Sequence, residues 1–138
     1  MTDTLDETHV QVAISLLTAN ANILHVFDSI VDNPTPDPPY VLVYSSVSWP
    51  RDGLGTSLTA QQVGITTTYT VHCAALSPVG ARAVQMQART SLLNARPVIA
   101  GRNCSPIKQD ESHEPVLDET TGRAVYDAVS VYSFMSTG

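Results

Sequence analysis

The eleven residues 65–75, ITTTYTVHCAA, constrain this chain more than any other segment. Ile65, Tyr69, Val71 and Cys73 share one parity, and Thr66, Thr68, Thr70 and His72 share the other. Side chains of a strand alternate between its two faces, so the pattern demands a long strand with one face buried and one polar. Uncovered sheet faces belong to antiparallel arrangements, because parallel sheets are covered on both sides. Helices are therefore expected on one face only.

The flanking segments fit that demand. Residues 6–19 read as a helix, with Thr4 or Asp6 as cap and an apolar stripe of Val10, Ala13, Ile14 and Leu17. Residues 23–30, ILHVFDSI, read as a short strand. DNPTPDPP, 32–39, holds four prolines in eight residues and is expected to be a stiff extended loop. YVLVYS, 40–45, is an almost wholly apolar strand and belongs near the middle of a sheet. Ser77-Pro78 opens a second helix as cap and first residue. Its expected inward stripe is Val79, Ala83, Met86, Thr90 and Leu93, and it is expected to run until Pro97. A strand through Val98 and Ile107, interrupted near Gly101, and a closing strand from Arg123 to Phe134 complete the set. Two long loops remain, 48–64 and 108–122.

The predicted class is α+β: a single mixed, mainly antiparallel sheet of about five strands in the order α-β-β-β-α-β-β, with both helices on one face. With 138 residues and no internal repeat or linker, residues 1–138 are expected to form one domain. That length buries a core without a metal or disulfide staple, and Cys73 and Cys104 form no framework, so both read as buried thiols. No apolar run reaches the roughly 18 residues of a membrane span. The start, MTDTLDETHV, is acidic where a signal peptide is basic, so the chain is expected to stay where it is made.

Charge is distributed in blocks. Residues 1–52 carry seven acids and one base, 53–109 carry five bases and no acid, and 110–138 carry six acids and one base. The net charge of -6 opposes duplex binding, which needs a basic surface. Complementary blocks favour head-to-tail contact between copies, or they neutralise one another within a subunit.

Motifs of chemistry are absent or weak. His113 stands among Asp110, Glu111, Glu114, Asp118 and Glu119, without the ligand spacing of a calcium loop, so a solvated acidic segment is the plainer reading. His72 and Cys73 are strand neighbours and point to opposite faces, which rules out a nucleophile–base pair. Gly53-Leu54-Gly55-Thr56 lacks the length and lysine of a phosphate loop. The chain has no GxSxG or HExxH motif. No cofactor and no catalytic residue are expected.

The segments HVFDSI (25–30), PYVLVYSS (39–46), TTTYTVHCAALS (66–77), ARAVQMQARTSLL (81–93), GRNCSPI (101–107), EPVLDE (114–119) and VYDAVSVYSF follow one another in an order that resembles the tail terminator, or tail completion, proteins of long non-contractile-tailed phages, especially those of actinobacterial hosts. The resemblance implies a ring, hexameric in known relatives, that caps the head-proximal end of the tail tube and stops its polymerisation. Such a ring also offers the interface to the head connector. Its implied partners are its own copies, the tube protein and the connector or stopper. DNA would pass through the lumen without specific binding. The implied location is the tail or neck of the virion, reached from the host cytoplasm during assembly. A head-closure stopper, a tube subunit, and a small enzyme with a dispersed site are the alternatives.

For a ring, surface residues are the working part. The candidates are Trp49, Arg51 and Asp52 in the first long loop, Arg82, Arg89 and Arg96 on the second helix, and Asp110, Glu111, Glu114, Asp118 and Glu119 in the second loop. The three arginines are seven apart, so on one helix they fall within roughly 40° of a line. They form either a ridge for the acidic loop of a neighbour or an ordinary solvated face. Trp49 either anchors an interface or closes the end of the core.

Overall fold

The structure is a computed structural model describing residues 2–23, 25–29, 38–48, 64–119 and 124–138. Its elements are α1 (Thr2–Thr18), β1 (Val26–Asp28), β2 (Tyr40–Ser48), β3 (Ile65–Ala75), α2 (Pro78–Leu92), β4 (Asn103–Cys104), β5 (Lys108–Ser112), β6 (Val116–Asp118) and β7 (Val125–Thr137). The class is α+β, and the order expected from the sequence holds. Short strands β5 and β6 lie inside the stretch 108–122, where the sequence predicts a long loop.

The sheet runs β1-β2-β3-β7, with β4, β5 and β6 all on the far edge of β7. β1 is parallel to β2, and every other pairing is antiparallel. Asn103 pairs with Thr137, Lys108 with Ser133, and Asp118 with Val125. Residues 103–118 are thus one interrupted line returning along β7, which gives the sheet five lanes. Pro106 and Pro115 stand at its two breaks, where a missing N–H rules out an unbroken ladder. A bulge between Gln109 and Glu111 adds a third irregularity.

The alternation of β3 appears as expected, with Ile65, Thr67, Tyr69, Val71 and Cys73 all fully buried. Register carries the same face across to Val41 and Val43 of β2 and to Ala128, Tyr132 and Phe134 of β7. Ala13 and Leu17 of α1 and Ala81, Ala88 and Leu92 of α2 close over this face in one core. Both helices therefore cover the same side. Ser46, Ser48, Thr66, Thr68, Thr70 and Ser133 occupy the other face.

α1 starts at Thr2, so Thr4 and Asp6 lie within it and neither caps it. His9 joins its buried side, a position the apolar stripe did not include. His9 Nδ1 lies 2.7 Å from the Leu5 carbonyl, which can only accept, so Nδ1 carries the proton. Nε2 then accepts from Ser136 Oγ at 2.7 Å, and Arg102 Nε donates to that same hydroxyl at 3.1 Å. The Tyr69 hydroxyl donates to the His9 carbonyl, and burial pushes its ionisation well above the usual phenol range. These bonds tie α1 to β3 and to the end of β7.

α2 begins as expected, with Ser77 Oγ accepting from the Gly80 amide at 3.0 Å. It ends at Leu92, four residues before Arg96. Its orientation reverses the expectation: Val79 is 69% exposed, Met86 is 65% exposed, and Ala83 and Thr90 are also exposed. The sheet takes instead Ala81, Ala88 and Leu92, with Val84 packed beside them. Alanines let the helix approach closely. A Cβ at Gly80 would sit 3.1 Å from Ser77 Oγ and 3.2 Å from the Ala75 Cβ.

Beyond α2, Val98 is 94% exposed, so the strand expected through it reduces to Asn103–Cys104. Ile99 and Ile107 still anchor that stretch in the core. Both cysteines are buried and free, and burial pushes the Cys73 thiol up to about 12. No helix among the described residues is long and apolar enough to cross a membrane.

Candidate subunit interface

Trp49, Arg51 and Asp52 lie outside the described residues, as does most of the 48–64 loop. The remaining candidates fall on two elements that run side by side. Arg82 and Arg89 project from the outer side of α2. Arg96 lies beyond the helix and donates to the Cys104 carbonyl at 3.0 Å, so the three arginines do not form one ridge.

The acidic candidates line the interrupted edge of the sheet. Asp110 and Glu111 are on β5, Glu114 precedes β6, Asp118 is on β6, and Glu119 follows it. Gln85 Nε2 joins helix to edge, donating to Ser130 Oγ at 2.9 Å and to the His113 carbonyl at 3.2 Å. Arg82 lies 3.9 Å from Glu114, with side chains 52% and 89% exposed. A solvent-exposed pair of this kind contributes little and leaves both groups available to another surface. The charge blocks are therefore adjacent within one subunit yet barely neutralise each other there. A groove of about 330 Å³ runs between them, lined by Arg82, Gln85, Met86, Arg89, Gln109 and Ser112.

The uncovered sheet face holds a second feature that sequence reading missed. His72 Nδ1 and Asp127 Oδ2 are 2.8 Å apart across β3 and β7. The Asp127 hydrogen bond holds the His72 imidazole above its ordinary pKa, against the opposing effect of partial burial. The edge of one ring meets the face of the other where Tyr44 packs on His72, at a centroid distance of 5.4 Å. Together with Tyr40, Leu42, Ala74, Asp118 and Val125 they line a depression of about 220 Å³. Asp127, the one charged residue of β7, was the available signal, but its partner depends on register, which the sequence does not print.

This geometry contains no nucleophile beside a base. His72 faces Asp127 and Tyr44, while the Cys73 thiol lies buried on the opposite side of the strand. Among the described residues no group of three or more His, Cys, Asp and Glu side chains could hold a metal ion. His113 pairs with Glu111 at 3.0 Å. Exposed charge and exposed apolar side chains are what this surface offers.

No model of a protein family matches the chain, and no curated protein matches it. Solved structures share its fold. A chain in the virion of a native gene transfer agent particle superposes with a TM-score of 0.60 at 15% identity, covering 92% of this chain and 85% of that one. A second solved chain, whose name states no function, superposes with a TM-score of 0.63 at 16% identity, covering 100% of this chain and 96% of that one. At these identities the likeness establishes a common fold: one α+β domain architecture, found also in a component of a phage-like particle.

Proposed function

We propose that this protein is a non-enzymatic structural subunit of a phage or phage-like particle, acting as a tail terminator. Copies close into a ring, six by the family resemblance, that caps the head-proximal end of the tail tube and presents a surface to the head connector. The observation that carries the reading is the fold shared along most of the chain with a component of a gene transfer agent virion. The terminator-like order of sequence segments points the same way independently.

The surface supports an assembly role. Sheet extension from copy to copy is blocked at the β7 side by Pro106, Pro115, the bulge and a row of charges. Contact between copies at that edge therefore proceeds through side-chain surfaces. At -6 per subunit, six copies would carry 6 × -6 = -36, a charge that repels phosphate and lets DNA pass without sticking.

Electron microscopy of the purified protein, alone and with tail tubes, tests the reading. Closed rings seated on one end of each tube are expected. Long cylinders formed by this chain alone would indicate a tube subunit, and a monomer at every concentration would overturn the assembly role.

A further inference from the structure

The outer side of α2 and the edge line 108–118 run antiparallel beside each other. Arg82 lies 3.9 Å from Glu114, and Gln85, further along the helix, reaches Ser112 and His113, which come earlier on the line. Gly80 lies against Ala75, and register runs from Ala75 to Tyr126 and on to Leu117, so the start of α2 is level with Leu117. At the other end Arg89 and Gln109 line the same groove. One surface therefore carries two strips. The helix strip presents Val79, Arg82, Met86 and Arg89, all exposed, and holds no acid. The strand strip presents Leu117, Glu114, Ser112 and Gln109 at matching levels. Gln85 fixes one strip to the other through Ser130 and the His113 carbonyl.

Such a surface complements itself under one symmetry. A two-fold axis across the groove would lay helix strip on helix strip and set arginine against arginine. An axis along the groove lays each helix strip on the strand strip of the other copy, level by level. We propose that this face pairs two copies of the chain about a two-fold axis lying along α2. Arg82 then meets Glu114 of the second copy as well as its own, and four charges alternate around a square. A single exposed pair contributes little, whereas a covered network of this kind contributes more. Val79 meets Leu117, 69% and 47% exposed in the single chain, and Met86, 65% exposed, covers Ser112. Arg89 meets the Gln109 amide, whose oxygen accepts its N–H. A two-fold contact is complete at two copies and cannot close a larger ring by itself. The pair is thus a contact of the chain additional to the ring's, and it stands or falls apart from the ring reading.

Charge exchange on the full chain tests it, read by native mass spectrometry and sedimentation over a concentration series. Arg82→Glu alone and Glu114→Arg alone each place four like charges about the axis. Each is expected to need at least about tenfold more protein to pair. Arg82→Glu with Glu114→Arg in one chain reverses the square and is expected to restore pairing to the wild-type level. Circular dichroism and urea melts verify the folds, since both side chains are exposed. A cross-link reads the geometry without changing charge. Met86→Cys chains mixed with Ser112→Cys chains are expected to form a disulfide-linked pair under mild oxidation. Met86→Cys chains alone are expected to form none, because the helix strips do not face each other. Cys73 and Cys104 are buried and do not compete.

Single variants that pair like the wild type overturn the proposal. So do single losses that the double exchange does not repair. Normal pairs that no longer seat on tail tubes show that the strip serves a different protein, and they overturn the self-contact. A wild-type chain whose smallest assembled species exceeds a pair overturns the two-fold axis while leaving the ring reading untouched. Pairs that form as expected while no ring is ever seen on a tube overturn the ring reading and support the pair.

Discussion

Asp127 of β7 holds His72 of β3 at 2.8 Å on the one face of the sheet that no helix covers. The bond favours the protonated imidazole, so the folded pKa of His72 is raised above its ordinary value. Stability from this pair is then fully present below the unfolded pKa of about 6.5 and is lost as pH rises through the folded value. Asp127→Asn is expected to cost more stability in acid than in alkali. Urea melts at pH 5.5 and 8.5 measure the difference, and an NMR titration of His72 should show its midpoint falling in the variant. An unchanged midpoint would refute the assignment.

The rotation of α2 is open to a direct comparison. Leu92 is fully buried and Met86 is 65% exposed on the same helix. Leu92→Ala is expected to lose about 2–5 kcal/mol, the range for emptying a core site. Met86→Ala is expected to stay within about 0.5 kcal/mol, as surface changes do. Chemical denaturation of the two variants under conditions where the protein is monomeric decides it. A loss at Met86 larger than that at Leu92 would mean that the helix packs with the opposite face.

Ser136 of β7 joins α1 and the segment before β4 through one hydroxyl. Its Oγ donates to His9 Nε2 and accepts from Arg102 Nε. Ser136→Ala leaves a buried imidazole nitrogen without a partner and is expected to cost about 1–3 kcal/mol. If urea unfolding showed no change, the His9 network would contribute nothing to stability.

Thr67 predicts the opposite sign. It is fully buried on the core face, and its hydroxyl has no hydrogen-bond partner. Thr67→Val keeps the shape and β-branching while removing an unsatisfied polar group. A gain of roughly 1 kcal/mol is expected, visible as a higher melting temperature. A loss would show that the hydroxyl is satisfied in solution.

Where periodicity had one solution, the fold was legible in the sequence. β3 could bury only one of its faces, and its bounds, 65–75, match the segment read from alternation alone. α2 had two helical-spacing solutions. Val79, Ala83, Met86 and Leu93 carry more apolar bulk, but Ala81, Val84, Ala88 and Leu92 present small side chains that permit close docking. Hydrophobicity favours the first set and steric fit the second, and in this tertiary setting fit decided. The line 103–118 was hidden for another reason. Its pieces are short and mostly exposed, and their pairing is dictated by β7, which lies beyond them in sequence. The candidate interface was legible as charge blocks. The His72–Asp127 pair and the outward apolar stripe emerge only from register and packing.

β7 pairs with β3 on one side and with residues 103–118 on the other, so the sheet depends on the segment 125–137 for its completion. During synthesis, β3 keeps an open flank and the acidic line has nothing to pair with until that segment leaves the ribosome. Both flanks of the sheet therefore close on the same strand, so β3 and the line 103–118 gain their partner together.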